Sequence, residues 1–303
     1  MGKNKTLLMG AGPFGAGAAA LAMTPIPGSA ASSNPIFSLC FAGSEVVTPD
    51  RLTTAWSLAP EIIVPLMAIG LLYIAMCRRS ARTNPQQSTA MQRAMFATGY
   101  VLLLVALISP LCRLAATLAS AHMIQHILLV AIVPPLLVLG LPSHALPRFL
   151  RVPAPLWLSA GLYGAAIWMW HIPGLYHAAL LYATAHLAMY ASLLLSSGLF
   201  WHAILHSAHA SAERRAGAVL VLLATLMHTG MLGALLSFAP RPWYPIMTPG
   251  AIGWGFSPLE DQQFAGLIMW VPMGLIYLLA AVALIGHGLA RLDSAKPLHT
   301  AKN

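Results

Sequence analysis

The sequence predicts an all-α integral membrane protein, a bundle of about seven transmembrane helices that follows an N-terminal leader. Of its 303 residues 58% are hydrophobic and only 8% are charged, whereas a soluble domain carries about 25% charged residues. A transmembrane helix needs about 20 mostly apolar residues. Seven such runs follow the leader, at approximately residues 55–77, 94–112, 119–141, 155–172, 182–205, 216–238 and 264–288. The connections between them are short, so no sizeable soluble domain is predicted.

The first 31 residues have the layout of a secretory signal peptide. Lys3 and Lys5 precede an apolar, glycine- and alanine-rich stretch, and small residues follow at positions 28–31. This order of basic, apolar and small residues is typical of a cleavable signal; an uncleaved N-terminal anchor is the alternative. The remaining chain is then predicted to comprise an extracytoplasmic segment (32–54), the transmembrane domain (55–290) and a cytoplasmic tail (291–303).

The distribution of positive charge predicts the orientation of the bundle. The net charge of +9 comes from basic residues in short clusters between the apolar runs, not from one patch of the kind that binds nucleic acid, so no nucleic-acid partner is expected. In a seven-span arrangement one side carries Arg78, Arg79, Arg82, Arg93, Arg148, Arg151, Arg214, Arg215, Arg291, Lys296 and Lys302, and the other chiefly Arg51, Arg113 and Arg241. The positive-inside rule then places the C-terminus in the cytoplasm. We therefore expect a multi-pass protein of the bacterial inner (plasma) membrane.

Two histidines at the start of the third run form a candidate metal site. His122 and His126 are four residues apart, so they share one face of a helix. Neutral imidazoles suit copper, zinc, iron or nickel, and polar side chains within a membrane often mark function because their burial there is costly. The alternative is that both histidines are hydrogen-bonded to neighbouring helices and serve only packing.

Further candidate ligands lie near the same predicted outer face. His171 ends the fourth run and His186 begins the fifth, while His228 lies in the sixth, flanked by methionines. Thioethers suit Cu(I), so a mixed set of histidine and methionine favours copper, although methionine is also a common gap-filler of apolar cores. Residues expected to support the ligands from around the site are Glu260, Asp261, Gln262 and Met231. His177 is interpreted as an ordinary surface histidine.

Other features restrict the function without assigning it. The sequence has no H-E-x-x-H and no G-x-S-x-G motif, which argues against a metalloprotease or an acyl hydrolase. The apolar runs contain no lysine for a retinal Schiff base. The three cysteines form no C-x-x-C pair and indicate no disulfide framework. A second histidine group is interpreted as solvated at the cytoplasmic interface, with its role left open: His202, His206 and His209.

Proline and glycine predict two local features of the bundle. Pro134 and Pro135 interrupt the third run about two turns after His126, and proline within a helix removes a hydrogen bond and kinks the chain. Gly230 and Gly233 in the sixth run would permit close approach of another helix.

Several stretches of the sequence resemble one known family, the CtaG-like assembly factors associated with caa-type cytochrome c oxidases. The stretches are SAHMIQHILLVAIVPPLLVLGLP, MWHIPGLYHAAL, GLFWHAIL, HTGMLGALLSFAPRPWYP and WGFSPLEDQQFAGLIMWVPMGLIYLLA. They occur in the family's order between about residues 93 and 288. The matching residues are His122, His126, His171 and His228, with Asp261 and Gln262 before the last run. Relatives are expected to carry another histidine one turn after His186, where this chain has Tyr190.

The resemblance implies an assembly factor, not an enzyme, that helps to mature a haem–copper oxidase at the copper step. The expected copper ligands are His122 and His126, completed by His171, His186 or His228. Glu260 and Asp261 are expected to orient imidazole N–H groups. The expected partners are oxidase subunits, a periplasmic copper carrier and the lipid bilayer. Two alternatives remain: a transporter of copper or a small solute, and a haem protein ligated by His126 and His228.

Overall fold

The computed structural model describes residues 40, 46–83, 89–142 and 151–295 of the chain. The predicted leader (1–31), Arg148, Lys296 and Lys302 lie outside these residues. The described part of the chain is mainly helical and has no strand, so the predicted all-α class is confirmed. Its α-helices are α1 (Pro60–Thr83), α2 (Ala90–Ile108), α3 (Pro110–Ala115), α4 (Ala119–Ile127), α5 (Val133–Gly140), α6 (Leu156–His171), α7 (Pro173–Leu181), α8 (Ala183–Ser207), α9 (Ala212–Ser237), α10 (Thr248–Gly253) and α11 (Pro258–Ala295).

Six helical segments among the described residues are long and apolar enough to cross a membrane. They are Pro60–Arg82, Ala90–Ile108, Ala119–Gly140, Ala183–Ser207, Ala212–Ser237 and Pro258–Leu292, which indicates a multi-pass membrane protein. The fourth predicted run, 155–172, forms α6, which has only 16 residues. At 1.5 Å per residue this helix spans about 24 Å, less than the ~30 Å hydrocarbon core. It ends because Ile172 is extended before Pro173, which begins α7, as a residue before proline favours.

The third span is interrupted at the two prolines. A π-helical turn, Leu128–Ile132, joins α4 to α5. Because Pro134 has no N–H, the carbonyl of Val130 loses its usual helical donor four residues on. The indole of Trp201, on α8, donates to that carbonyl instead, at 2.9 Å. The predicted interruption is therefore satisfied by a side chain of a neighbouring helix, as backbone polar groups within a membrane require.

Beside this interruption, the centre of the bundle is filled by aromatic side chains. The hydroxyls of Tyr163 and Tyr277 are hydrogen-bonded at 2.5 Å, and the rings of Phe200 and Trp201 pack against them. All four side chains are buried. This layer joins α6, α8 and α11 at a depth where the lipid offers no hydrogen-bond partner.

The two ends of the bundle carry different chemistry. One end, called the disulfide end below, holds a disulfide between Cys40 and Cys112. At this end the indole of Trp254 donates a hydrogen bond to the carbonyl of Val47 at 2.7 Å. The disulfide is a finding that the spacing of the cysteines did not indicate. At the opposite end, called the arginine end, Arg214 and Arg215 donate to Ser207 Oγ and the Ala208 carbonyl, both at 3.3 Å.

Gly233 allows α9 and α11 to approach closely, as predicted. A Cβ atom at Gly233 would lie 2.8 Å from the carbonyl oxygen of Gly266 and 2.9 Å from the Trp270 nitrogen. Both obstacles are backbone atoms, so the helices would have to separate. At Gly230 the nearest atom is the Trp270 side chain, at 3.2 Å, so that contact is less restrictive.

We expect Gly233→Ala to destabilise the protein by roughly 1–3 kcal/mol because the added methyl group overpacks a backbone contact. The measurement is the melting temperature of detergent-purified protein. Gly274→Ala is the matched control on α11: its Cβ would lie 3.9 Å from Leu226, and helix propensity favours alanine there by about 1 kcal/mol. Equal melting temperatures for both variants would contradict the close-packing account.

Candidate metal centre

Four buried histidines meet near the disulfide end of the bundle. His122 and His126 project from one face of α4, with ring centroids 6.2 Å apart. His171, at the end of α6, lies edge-on to His126 with centroids 5.5 Å apart. His186, in the first turn of α8, lies within electrostatic range of His122, as does His171. Three helices, α4, α6 and α8, thus bring together four of the five histidines predicted from the sequence.

Backbone hydrogen bonds fix two of these rings in one tautomer. His171 Nδ1 lies 2.7 Å from the carbonyl of Ile167, and His186 Nδ1 lies 3.0 Å from that of Ala179. A carbonyl only accepts, so each Nδ1 donates and each Nε2 of the neutral ring keeps a lone pair. The Nε2 atoms of His126, His171 and His186 are buried with no hydrogen-bond partner among the described residues. Buried polar atoms are rarely left so, and this arrangement is the one that metal-binding histidines adopt.

A small cavity lies beside two of the four histidines, His122 and His171. Its volume is about 10 Å³, and its polar lining comes from His122, His171, Tyr176, Tyr244 and Gln262. A site of this size holds about one water-sized particle. The hydroxyl of Tyr176 is also buried without a hydrogen-bond partner in the described part of the chain. The cavity therefore combines room for a single small ion with unsatisfied polar atoms.

The described side chains provide fewer ligands than a complete metal site needs. Among the residues that the structure describes, no three histidine, cysteine, aspartate or glutamate side chains are grouped as a metal site. Two imidazoles on one ion, with metal–nitrogen bonds of about 2.0 Å, place their ring centroids about 5–6 Å apart. The 5.5 Å separation of His126 and His171 agrees with that distance. The distance between these two rings is therefore compatible with a shared ion, and no third side chain is grouped with them among the described residues.

His228 does not join this cluster, in contrast to the prediction. Its Nδ1 accepts a hydrogen bond from the Trp168 indole at 3.3 Å, and its ring faces Gly164. Both partners are on the face of α6 that packs against α9. Met231 is 53% exposed and Met227 72% exposed, so both thioethers face the surroundings of the bundle. Spacing on α9 could not distinguish this outward face from the inward one.

The acidic residues before α11 act on backbone atoms, not on imidazoles. Asp261 is 1% exposed; its Oδ2 accepts from the Ala119 amide at 2.7 Å, and its Oδ1 from the amide and hydroxyl of Ser120. It thus caps α4, the helix that carries His122 and His126. Glu260 is exposed and accepts from the Ser257 amide at 2.8 Å. The expected contacts of these two carboxylates with imidazole N–H groups are replaced by helix caps.

Further polar residues surround the site, in addition to the predicted Gln262. The side-chain oxygen of Gln262 accepts a hydrogen bond from the Trp243 amide at 2.6 Å. Tyr244 donates to the His171 carbonyl at 2.9 Å, and Tyr190 donates to Gln125 at 3.2 Å. Gln125 lies between the two histidines of α4 in a largely apolar run of the sequence. This position could have identified it as a candidate residue of the site. Tyr190 packs against the His186 ring with centroids 4.4 Å apart.

The second histidine group lies at the arginine end, away from these residues. His206 and His209 are exposed, as expected of solvated side chains. His209 also packs against His287 with ring centroids 5.1 Å apart, a contact between α11 and the turn after α8 that was not predicted. His177 is exposed, as expected.

We expect Asp261→Ala to destabilise the protein by roughly 1.5–3 kcal/mol, because the buried amides of residues 119 and 120 lose a charged acceptor. Melting temperature in detergent is the measurement, and Glu260→Ala on the adjacent, exposed position is the control, expected to change it little. The cap assignment is wrong if the two variants melt at the same temperature.

Comparison with known proteins assigns the family. A sequence model of the family described as cytochrome c oxidase caa3 assembly factor matches residues 71–290, well over half of the chain. This range contains all four clustered histidines and Asp261. No match was found among curated proteins or among solved structures. By this match, the chain belongs to the cytochrome c oxidase caa3 assembly factor family.

Proposed function

We propose that this protein helps to insert copper into a haem–copper oxidase during assembly, at the outer face of the bacterial inner membrane. The family supplies the link to cytochrome c oxidase assembly. The observation that carries the copper step is the set of three buried, unpartnered Nε2 atoms on His126, His171 and His186. Lone pairs of neutral imidazole are ligands for copper.

The position of the disulfide supports an outer location for the site. Cys112 Sγ lies 3.9 Å from the Tyr190 hydroxyl, and the Tyr190 ring packs on His186. The disulfide and the histidine cluster therefore share one end of the bundle. Disulfides persist in oxidising compartments such as the bacterial periplasm. The positive-inside rule independently favours a cytoplasmic location for the arginine end.

The residues of the chain divide the proposed work between holding and positioning. His126 and His171 would hold the ion, and copper bound there would supply the metal for a centre of the client oxidase. Tyr244 fixes the carbonyl of His171, and Asp261 fixes the start of α4. In this proposal the protein transfers an ion and catalyses no reaction of its own. Its partners are subunits of the oxidase and a periplasmic copper carrier, within the lipid bilayer.

The two alternative functions receive less support. Haem ligation by His126 and His228 would need both rings on one iron, but His228 packs against Trp168 and Gly164, and the cavity beside the histidines is only about 10 Å³. Transport across the membrane would need a polar path beyond His126. The next buried residues along that span, Leu129, Val130 and Val133, are apolar. Delivery from one face therefore accounts better for the arrangement.

The proposed orientation predicts opposite accessibility of two loops. Single cysteines at Ser211 and Thr248, introduced with Cys77 replaced by serine, should react with a membrane-impermeant thiol reagent from different sides. Ser211 precedes the arginines of α9 and Thr248 begins α10 at the disulfide end. We expect Thr248→Cys to react in intact spheroplasts and Ser211→Cys only after the membrane is opened. Reaction of both from the same side would refute the proposed topology.

Loss of the protein is expected to leave the oxidase polypeptide present but deficient in copper. In a deletion strain complemented with His126→Ala or His171→Ala, we expect oxidase activity and copper per haem to fall more than tenfold, because the proposed ligands are missing. His206→Ala, an exposed histidine at the arginine end, is the matched control and should restore both. Full copper content and normal activity in oxidase from the deletion strain would exclude the proposed function.

A further inference from the structure

One face of α1 combines an apolar stripe with a group of arginines. A groove at the last turns of this helix is lined, among the described residues, by Leu71, Ile74, Ala75, Arg78, Arg79 and Arg82. Their spacing of i, i+3, i+4, i+7, i+8 and i+11 is that of one face of an α-helix. The same face continues in Val64 and Met67, which are 64% and 57% exposed. This face, called the groove face below, is therefore apolar for several turns and basic in its last two.

The opposite face of α1 is the one that packs on the bundle. The Tyr100 hydroxyl of α2 donates to the Leu66 carbonyl at 2.8 Å, and the Tyr73 ring stacks on Phe96 of α2. At 3.6 residues per turn, Leu71 lies roughly 150° around the helix from both Leu66 and Tyr73. The groove face therefore points away from α2, and in a membrane it meets lipid.

The change from apolar to basic residues falls near the depth of the lipid headgroups. The segment of α1 that is apolar enough to cross a membrane ends at Arg82. From Val64 to Arg78 the helix rises about 21 Å, which exceeds the ~15 Å of hydrocarbon in one leaflet. Arginine side chains also extend their charged groups towards water. The guanidinium groups thus lie in the headgroup layer, while the apolar part of the groove face lies along acyl chains.

The charge of the groove favours an anionic headgroup. Guanidinium groups pair with phosphate through two parallel hydrogen bonds, and the described lining of the groove contains no carboxylate. The acidic residue in the first turn of α1, Glu61, is at the other end of the helix. In phosphatidylcholine the choline group balances the phosphate, whereas phosphatidylglycerol keeps a net negative charge. Each arginine near an anionic lipid surface strengthens binding by about fivefold.

From this arrangement we propose that the groove binds one anionic phospholipid. Its phosphate lies between Arg78 and Arg82, whose Cβ atoms are about 6 Å apart at i, i+4 spacing, and its acyl chains lie along the apolar part of the groove face. Arg79 adds a third positive charge at the same level. The proposal goes beyond the proposed function, since it involves no histidine and no metal.

The test measures lipid binding to the full-length protein by native mass spectrometry. The protein is purified in a non-ionic detergent, freed of bound lipid and titrated with phosphatidylglycerol or with phosphatidylcholine of the same acyl chains. We expect one phosphatidylglycerol per chain, bound at least tenfold more tightly than phosphatidylcholine. Equal affinities for the two lipids would overturn the proposal, and so would a dimer that binds neither lipid, because a second copy would then cover the groove face.

Charge-matched variants locate the site. The double variant Arg78→Gln/Arg82→Gln should lower the affinity for phosphatidylglycerol more than tenfold, at about fivefold per arginine, and leave that for phosphatidylcholine unchanged. Arg93→Gln/Arg291→Gln is the matched control: both residues are exposed, lie at the same end of the bundle on α2 and α11, and are outside the groove. Its affinity for phosphatidylglycerol should stay within about twofold of that of the unmodified protein.

The outcomes separate a site from a diffuse charge effect. An equal loss of phosphatidylglycerol affinity in both double variants would mean that net charge attracts the lipid, and would overturn the groove as its site. Melting temperatures identify a variant that is unfolded, and the comparison of the two lipids on the unmodified protein needs no variant. Because no copper enters the experiment, its result leaves the copper proposal to its own test in the deletion strain.

Discussion

The buried carboxylate of Asp261 connects α11 to the start of α4, and the histidine cluster depends on this connection. It lies in the first turn of α11 and accepts from the first amides of α4, which in the interior of a helical bundle have no intrahelical partner and no water. A negative charge there also opposes the partial positive charge of the helix N-terminus. Because His122 and His126 lie in the two turns that follow, the direction of their rings is set by this attachment.

A second attachment fixes the middle of the same span. Pro134 leaves the Val130 carbonyl without its helical donor, and the Trp201 indole supplies one. Trp201 is on α8, the helix that carries His186 in its first turn at the disulfide end. The α4–α5 span is thus held by α11 at its start and by α8 at its interruption. A helix fixed at both points can keep the His126 imidazole buried with its Nε2 unpaired, an arrangement that a mobile helix would relax.

The sequence was sufficient for features that depend on local pattern. Run length and hydrophobicity predicted the helices, and i, i+4 spacing predicted the shared face of His122 and His126. It was insufficient where distant segments decide the outcome. Cys40 and Cys112 are 72 residues apart, and nothing in their local sequence pairs them. His228 and Met231 lie on a helix so uniformly apolar that its buried face cannot be identified, and Asp261 binds amides that are 141 and 142 residues away.

The unsatisfied histidines connect the stability of the protein with its proposed role. A buried polar atom without a partner costs about 1–3 kcal/mol, and three imidazole nitrogens are in this state. An ion that binds only the folded protein recovers part of that cost and stabilises the fold in proportion to the logarithm of its concentration. In the proposed function, a partner that offers more donors than the imidazoles of His126 and His171 would withdraw the ion. A site with few ligands would then hold copper briefly and release it, where a complete four-ligand site would retain it.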